Sequence, residues 1–199
     1  MRLFAALTPP EAVLDHLELA LRQVAAPGLP PSAATALATP PRNRRALTPR
    51  STWHITLAFF GQVPAGPATT LADQFSQVVA AHPPFALELS GAGSFAGRTA
   101  WIGLGGEVAR LKALMAALRE LWPSQGDEDP GQSQRPHLTI SRRAALPDWA
   151  DPLKALAIYR GPAWQVVSAR LIESKPGQGP GGHALYTTLA AADLGAAPV

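Results

Sequence analysis

The chain has 199 residues, 47% of them apolar, and a formal net charge of +3. That length suits one domain, or one domain of two similar lobes, and the apolar content is that of a globular protein with a buried core. The absence of cysteine excludes a disulfide framework, a thiol nucleophile and a cysteine-ligated metal, while the small positive excess permits an anionic partner such as RNA without requiring one.

Arg2–Leu7 reads as a strand and not as a signal peptide, because its apolar stretch is short and Pro9-Pro10 follows. Thr8-Pro9-Pro10-Glu11 resembles a capping box with proline in the first turn. Val13, Leu14, Leu17, Leu21 and Val24 then recur at helical spacing to about Ala26. Residues 27–49 form a long Pro/Ala/Arg stretch without period, of a length that in compact domains is often functional. Trp53–Phe60 reads as a strand closed by Gly61, and Pro67–Ala81 as a helix marked by Leu71, Phe75, Val78 and Val79. Phe85–Leu89 and Thr99–Leu104 read as two strands with a turn at Ser90-Gly91-Ala92-Gly93-Ser94. Glu107–Leu121 reads as a helix burying Leu111, Leu114, Met115, Leu118 and Leu121. The run Asp127-Glu128-Asp129 reads as a solvated acidic loop, since no histidine or further carboxylate pattern joins it. Pro136–Ser141, Trp164–Glu173 and Ala184–Ala190 are the remaining strands, with a Gly/Pro-rich turn at Pro176–Gly182 between the last two. The order suggests an α+β domain covering residues 1–199, with two related lobes. No apolar run is long enough to span a bilayer, and a cytoplasmic monomer is the expectation.

Two segments share one pattern: His54-Ile55-Thr56-Leu57 and His137-Leu138-Thr139-Ile140, one in each half. On a strand, His and Thr project to one face and the aliphatics to the other. His16, His82 and His183 do not repeat the pattern. Two facing copies would set two imidazoles and two hydroxyls around one space. Phosphodiester cleavage needs a base for the nucleophile, an acid for the leaving oxygen and donors for the non-bridging oxygens. Histidine serves either proton role near neutrality, and threonine hydroxyls can bind the oxygens. A cyclic phosphate suits this set, because its leaving oxygen stays tethered and ring strain lowers the demand for a metal ion.

With these segments in place, the chain resembles the 2H phosphoesterase superfamily, and more closely the RNA 2′,3′-cyclic phosphodiesterases (LigT-like, or 2′-5′ RNA ligase, proteins). The likeness runs colinearly. It starts at Arg2–Leu7 with Pro9-Pro10-Glu11 and continues through Trp53–Gly61, Pro84-Phe85 with Gly91–Phe95, and Trp101–Leu104. It ends with Arg135–Arg142, then Leu171–Ser174 and Tyr186. Trp53 before the first histidine, the long 27–49 region and Gly182–Leu185 depart from the family pattern. The resemblance implies a bilobal fold, two antiparallel-rich sheets flanking a central cleft with helices on the outer faces. It implies hydrolysis of RNA 2′,3′-cyclic phosphate ends to 2′-phosphate, with reversible 2′-5′ joining and no cofactor or metal. His54 is then assigned as the acid toward O3′ and His137 as the base on water, the reverse assignment staying open. Thr56 and Thr139 bind phosphate. Arg142 is a further phosphate contact by resemblance, although strand alternation puts it on the face opposite His137. Arg42, Arg44, Arg45 and Arg50 are candidate backbone contacts, with a solvated loop as the alternative. Trp53, Phe60 and Tyr186 are candidate stacking residues, the last two favoured as core. The competing readings are a 2H enzyme acting on a small cyclic phosphate or a 2′-5′ oligonucleotide, a two-histidine endonuclease, and a non-catalytic RNA- or nucleotide-binding module.

Overall fold

The computed structural model describes residues 1–25, 47–122, 135–142 and 146–195. In chain order the elements are β1 (Arg2–Leu7), α1 (Glu11–Ala25), β2 (Ile55–Gln62), α2 (Ala65–Ala80), β3 (Phe85–Phe95), β4 (Thr99–Gly106) and α3 (Val108–Arg119). There follow β5 (Leu138–Ser141), α4 (Leu146–Leu156), β6 (Trp164–Val166), β7 (Ser168–Lys175) and β8 (Leu185–Asp193). All eight strands form one antiparallel ladder in the order β6-β3-β4-β5-β2-β1-β7-β8. Two groups of four strands, each holding one His-x-Thr segment, therefore meet at β5 and β2. They meet through a single register pair, Ile55 with Leu138.

The ladder curls for a covalent reason. β6 is its outer strand at one end and β7 its next-to-last at the other, yet only Val167 separates them in sequence. One chain thus ties the two ends together, and the sheet bends around the space between them. The predicted single strand 164–173 is broken at this crossing, where Val167 is exposed.

One face of the curl carries the core. Leu3, Ala5, Leu7, Ile55, Leu57, Leu138 and Ile140 alternate along their strands, and all are buried. They join Val13, Leu14, Leu17 and Leu21 of α1, Leu71, Phe75 and Val79 of α2, and Leu111, Leu114 and Leu118 of α3. The α1 stripe follows the 3.6-residue period, and its first free N–H groups, on Val13 and Leu14, donate to the Pro10 carbonyl. The opposite face holds a much smaller buried set, Phe4, Ala6 and Ile172, with Phe59 and Tyr186 packed against it. No helix among the described residues is long and apolar enough to cross a membrane.

Two further elements differ from the sequence expectation. The segment Ser90–Ser94 is not a turn: β3 runs through it to Phe95, with a bulge between Leu89 and Ala92. Gly91, at φ +69°, takes the bulge, and its N–H donates to the Tyr159 carbonyl. The turn falls instead at Ala96 and Gly97, which both have positive φ. The helix α4 has no counterpart among the expected elements, and Pro152 lies inside it. Its period is nonetheless present, since Trp149, Leu153 and Leu156 recur at four- and three-residue steps and pack into the core.

Candidate active site

Both His-x-Thr segments open their strands. His54 directly precedes β2 and His137 directly precedes β5. Ile55, Leu57, Leu138 and Ile140 are sunk in the core, so His54, Thr56, His137 and Thr139 project to the other face. The Ile55–Leu138 pair fixes the antiparallel register. Carried one residue either way, it sets His54 across from Thr139 and Thr56 across from His137. Each imidazole therefore has the other segment's hydroxyl as its cross-strand neighbour. All four residues line one cleft of about 470 Å³.

The two histidines are oriented by the same device. His54 Nδ1 lies 2.7 Å from the Thr52 carbonyl, and His137 Nδ1 lies 2.7 Å from the Arg135 carbonyl. A carbonyl only accepts, so Nδ1 carries the proton in both rings. The neutral tautomer then leaves Nε2 as the atom free to accept or deliver a proton. Burial pushes His54 down to about 4; the bond to Thr52 opposes the fall, while the charges of Arg142 and His137 add to it. Burial likewise holds His137 below its usual range, opposed by the Arg135 carbonyl and aided by the Arg142 and Arg135 charges.

Aromatic rings flank both histidines. Phe4 packs on His54 at 4.9 Å between centroids, and Tyr186 meets it edge-on at 5.4 Å. Phe95 meets His137 edge-on at 4.9 Å. The charge of the cleft is one-sided. Arg2, Arg119, Arg135 and Arg142 line it, and no carboxylate does so among the described residues. Such a wall favours a phosphate anion.

The sequence candidates divide clearly. Arg142 reaches the cleft because β5 ends at Ser141, before strand alternation could turn it away. Tyr186 lies on the cleft wall and Phe60 in the core. Trp53 requires correction as an RNA contact, being 4% exposed and part of the core. Its indole N–H donates to the Thr48 carbonyl at 3.2 Å and to the Thr48 hydroxyl at 3.1 Å. The Thr48 N–H in turn donates to the Ile140 carbonyl at 2.9 Å. The residue before the first histidine is thereby braced to the strand of the second, where β2 and β5 have only one register pair of their own. Arg50 also needs correction: it is held by Glu11, Asp15 and Glu18 of α1 and serves that helix. Arg42, Arg44, Arg45 and the acidic run at 127–129 lie outside the described residues. Sequence reasoning missed Arg2, Phe4, Phe95, Thr99, Arg119 and Arg135 as parts of this site. A signal existed for the first two, since Arg2 and Phe4 share the β1 face opposite the buried Leu3 and Ala5.

The brace yields an expected result. Trp53→Phe keeps an aromatic ring but deletes the donor and part of the buried indole, so it should cost at least about 1–2 kcal/mol of stability in urea unfolding. A stacking residue would instead lose RNA affinity with stability unchanged.

A curled antiparallel sheet carrying paired His-x-Thr strands at its centre is the 2H phosphoesterase fold. Within that class the chain belongs to the 2′-5′ RNA ligase superfamily, whose family model matches residues 25–177. The chain is 39% identical over 95 residues to a Geobacillus stearothermophilus protein named RNA 2′,3′-cyclic phosphodiesterase; that match covers 46% of this chain and 30% of the relative's length. An Aeropyrum pernix protein of the same name is 29% identical over 147 residues, covering 70% of this chain and 82% of the relative. The crystal structure of TT0787 from Thermus thermophilus superposes over 100% of both chains, with a TM-score of 0.69 at 25% identity.

Proposed function

We propose that the protein hydrolyses the 2′,3′-cyclic phosphate at an RNA end to a 2′-phosphate, by acid–base catalysis from His54 and His137. The observation that carries this reading is the pair of imidazoles, each fixed with Nδ1 on a backbone carbonyl and Nε2 left for chemistry, at a cleft lined by arginines. The names of the two relatives support the substrate class.

Water attacks phosphorus and gives a proton to His137 Nε2. The P–O3′ bond breaks, and O3′ takes a proton from protonated His54 Nε2. The products are a 2′-phosphate and a free 3′-hydroxyl, and proton exchange with solvent resets the pair. Thr56 and Thr139 hydroxyls donate to the non-bridging oxygens, and Arg142 balances their charge. With an RNA 5′-hydroxyl in place of water as the nucleophile, the same displacement of O3′ would join two ends through a 2′-5′ linkage.

The test is an RNA oligonucleotide ending in a 2′,3′-cyclic phosphate, incubated with the protein and EDTA. The expected product is the 2′-phosphate, with turnover unaffected by the chelator. A 3′-phosphate product, or loss of turnover in EDTA, would sink this reading. Cleavage of uncyclised RNA would favour an endonuclease.

The pH dependence follows from the site. The productive form carries one proton on the histidine pair, so kcat/KM is bell-shaped in pH. Both groups lie below the ordinary 6.5 in the free protein, which puts the maximum of kcat/KM below about pH 6.5, with loss as pH rises beyond it. A bound phosphate anion favours imidazolium, so kcat peaks at higher pH than kcat/KM. Arg142→Gln removes a positive neighbour of both rings and should move the kcat/KM profile toward alkaline pH. An unmoved profile would place Arg142 away from the reacting groups.

A further inference from the structure

A second cavity, about 430 Å³, adjoins the cleft on the His137 side, and Arg135 lines both. Its volume falls in the range of roughly 300–1,000 Å³ that holds small ligands. Trp101 forms one wall; as the direct cross-strand partner of Thr139 it stands on the same sheet face as the catalytic segment. The Arg135 guanidinium lies over the Trp101 ring, 4.8 Å from its centroid. The Trp101 indole N–H is buried without a partner, in a side chain only 7% exposed. Gly91 and Gly103 keep the wall low. Lys112, on the exposed surface of α3, adds a second positive charge, and no carboxylate lines the space among the described residues. The reaction assigned above uses neither Trp101 nor Lys112.

A flat cationic stack beside a lysine, continuous with a phosphate-binding cleft, fits the next unit of a nucleic acid strand. Arginine–aromatic platforms accept any base face, and a lysine binds the backbone as a point charge. We propose that this cavity holds the nucleotide on the 5′ side of the cyclic-phosphate terminus. Its base lies against the Arg135–Trp101 stack and its phosphate pairs with Lys112. The protein then selects the end of an oligonucleotide over a free nucleoside cyclic phosphate. This rests on the reading of the cleft under Proposed function.

The experiment compares kcat/KM for a nucleoside 2′,3′-cyclic monophosphate and for a trinucleotide with the same cyclic end, over a range of salt. The unaltered protein should prefer the trinucleotide. Lys112→Ala, at an exposed helix position, should reduce that preference by on the order of 10-fold. It should also lower the salt slope on the trinucleotide by about 0.7, the loss of one single-strand phosphate contact. Lys112→Glu should reduce the preference further. Equal kcat/KM for the two substrates, or a preference that Lys112→Ala leaves intact, would overturn the inference. Hydrolysis of neither substrate would overturn the reading of the cleft itself, and this inference with it.

Discussion

Alanine at His54 or at His137 is expected to lower kcat by on the order of 10²–10⁴-fold on a cyclic-phosphate RNA end. The two losses should be comparable, because in the proposed mechanism each ring holds one of two proton transfers of a single displacement. His54 is packed between Phe4 and Tyr186, so alanine leaves a gap there. His54→Gln, which fills more of that space, separates lost packing from lost chemistry, and thermal unfolding of each variant checks the fold. A substrate with sulfur in place of O3′ distinguishes the roles. A thiolate leaves without protonation, so the variant lacking the acid recovers on it and the variant lacking the base does not. Recovery by His54→Ala supports His54 as the acid. Recovery by His137→Ala reverses the two roles and keeps the two-histidine mechanism. Near-normal turnover by both variants on the natural ester would remove that mechanism.

The histidine and threonine positions were legible because they depend on the shortest-range rule a strand obeys, the alternation of faces. His54-Ile55-Thr56-Leu57 states which side chains leave the core without reference to any other part of the chain. The cross-strand exchange of partners, His54 with Thr139 and Thr56 with His137, was not legible. It depends on the register of β2 against β5, which one backbone pair sets. The remainder of the cleft needs still longer-range information. Phe95 and Thr99 reach it because Gly91 absorbs a bulge and lets β3 continue, whereas the local cluster of glycine and serine reads as a turn. Arg142 reaches it because the strand stops one residue earlier. Trp53, an aromatic beside a catalytic candidate, suggested stacking, but the hydrogen bond to Thr48 turns it inward. The helix α4 went unassigned although its apolar period, Trp149, Leu153 and Leu156, is present in the sequence; Pro152 lies within it. The split of residues 164–175 between two distant strands has no local signal, since only the curl of the whole sheet requires it.

Valine at Thr56 or at Thr139 is the second large effect, with kcat expected to fall on the order of 10²-fold for each. Valine matches threonine in shape, so the substitution removes a donor and little else. Both residues are half-buried on the cleft wall, and neither hydroxyl is needed for the strand ladder. The loss should therefore fall on kcat with KM nearly unchanged. In the ground state the non-bridging oxygens share one negative charge, and in the transition state they carry more, so a fixed donor gains strength as the reaction proceeds. Thr→Ser at either position keeps the donor and should restore most of the rate. The double variant Thr56→Val with Thr139→Val tests the register argument. Because the threonines sit beside opposite histidines, each should bind a different oxygen, and the two losses should multiply to within a small factor. A double variant no slower than either single one would mean that the two hydroxyls act as one unit on a single oxygen, and would overturn the assignment of separate oxygens. A rise in KM with kcat intact would assign the hydroxyls to substrate binding alone and leave the developing charge to the arginines of the cleft.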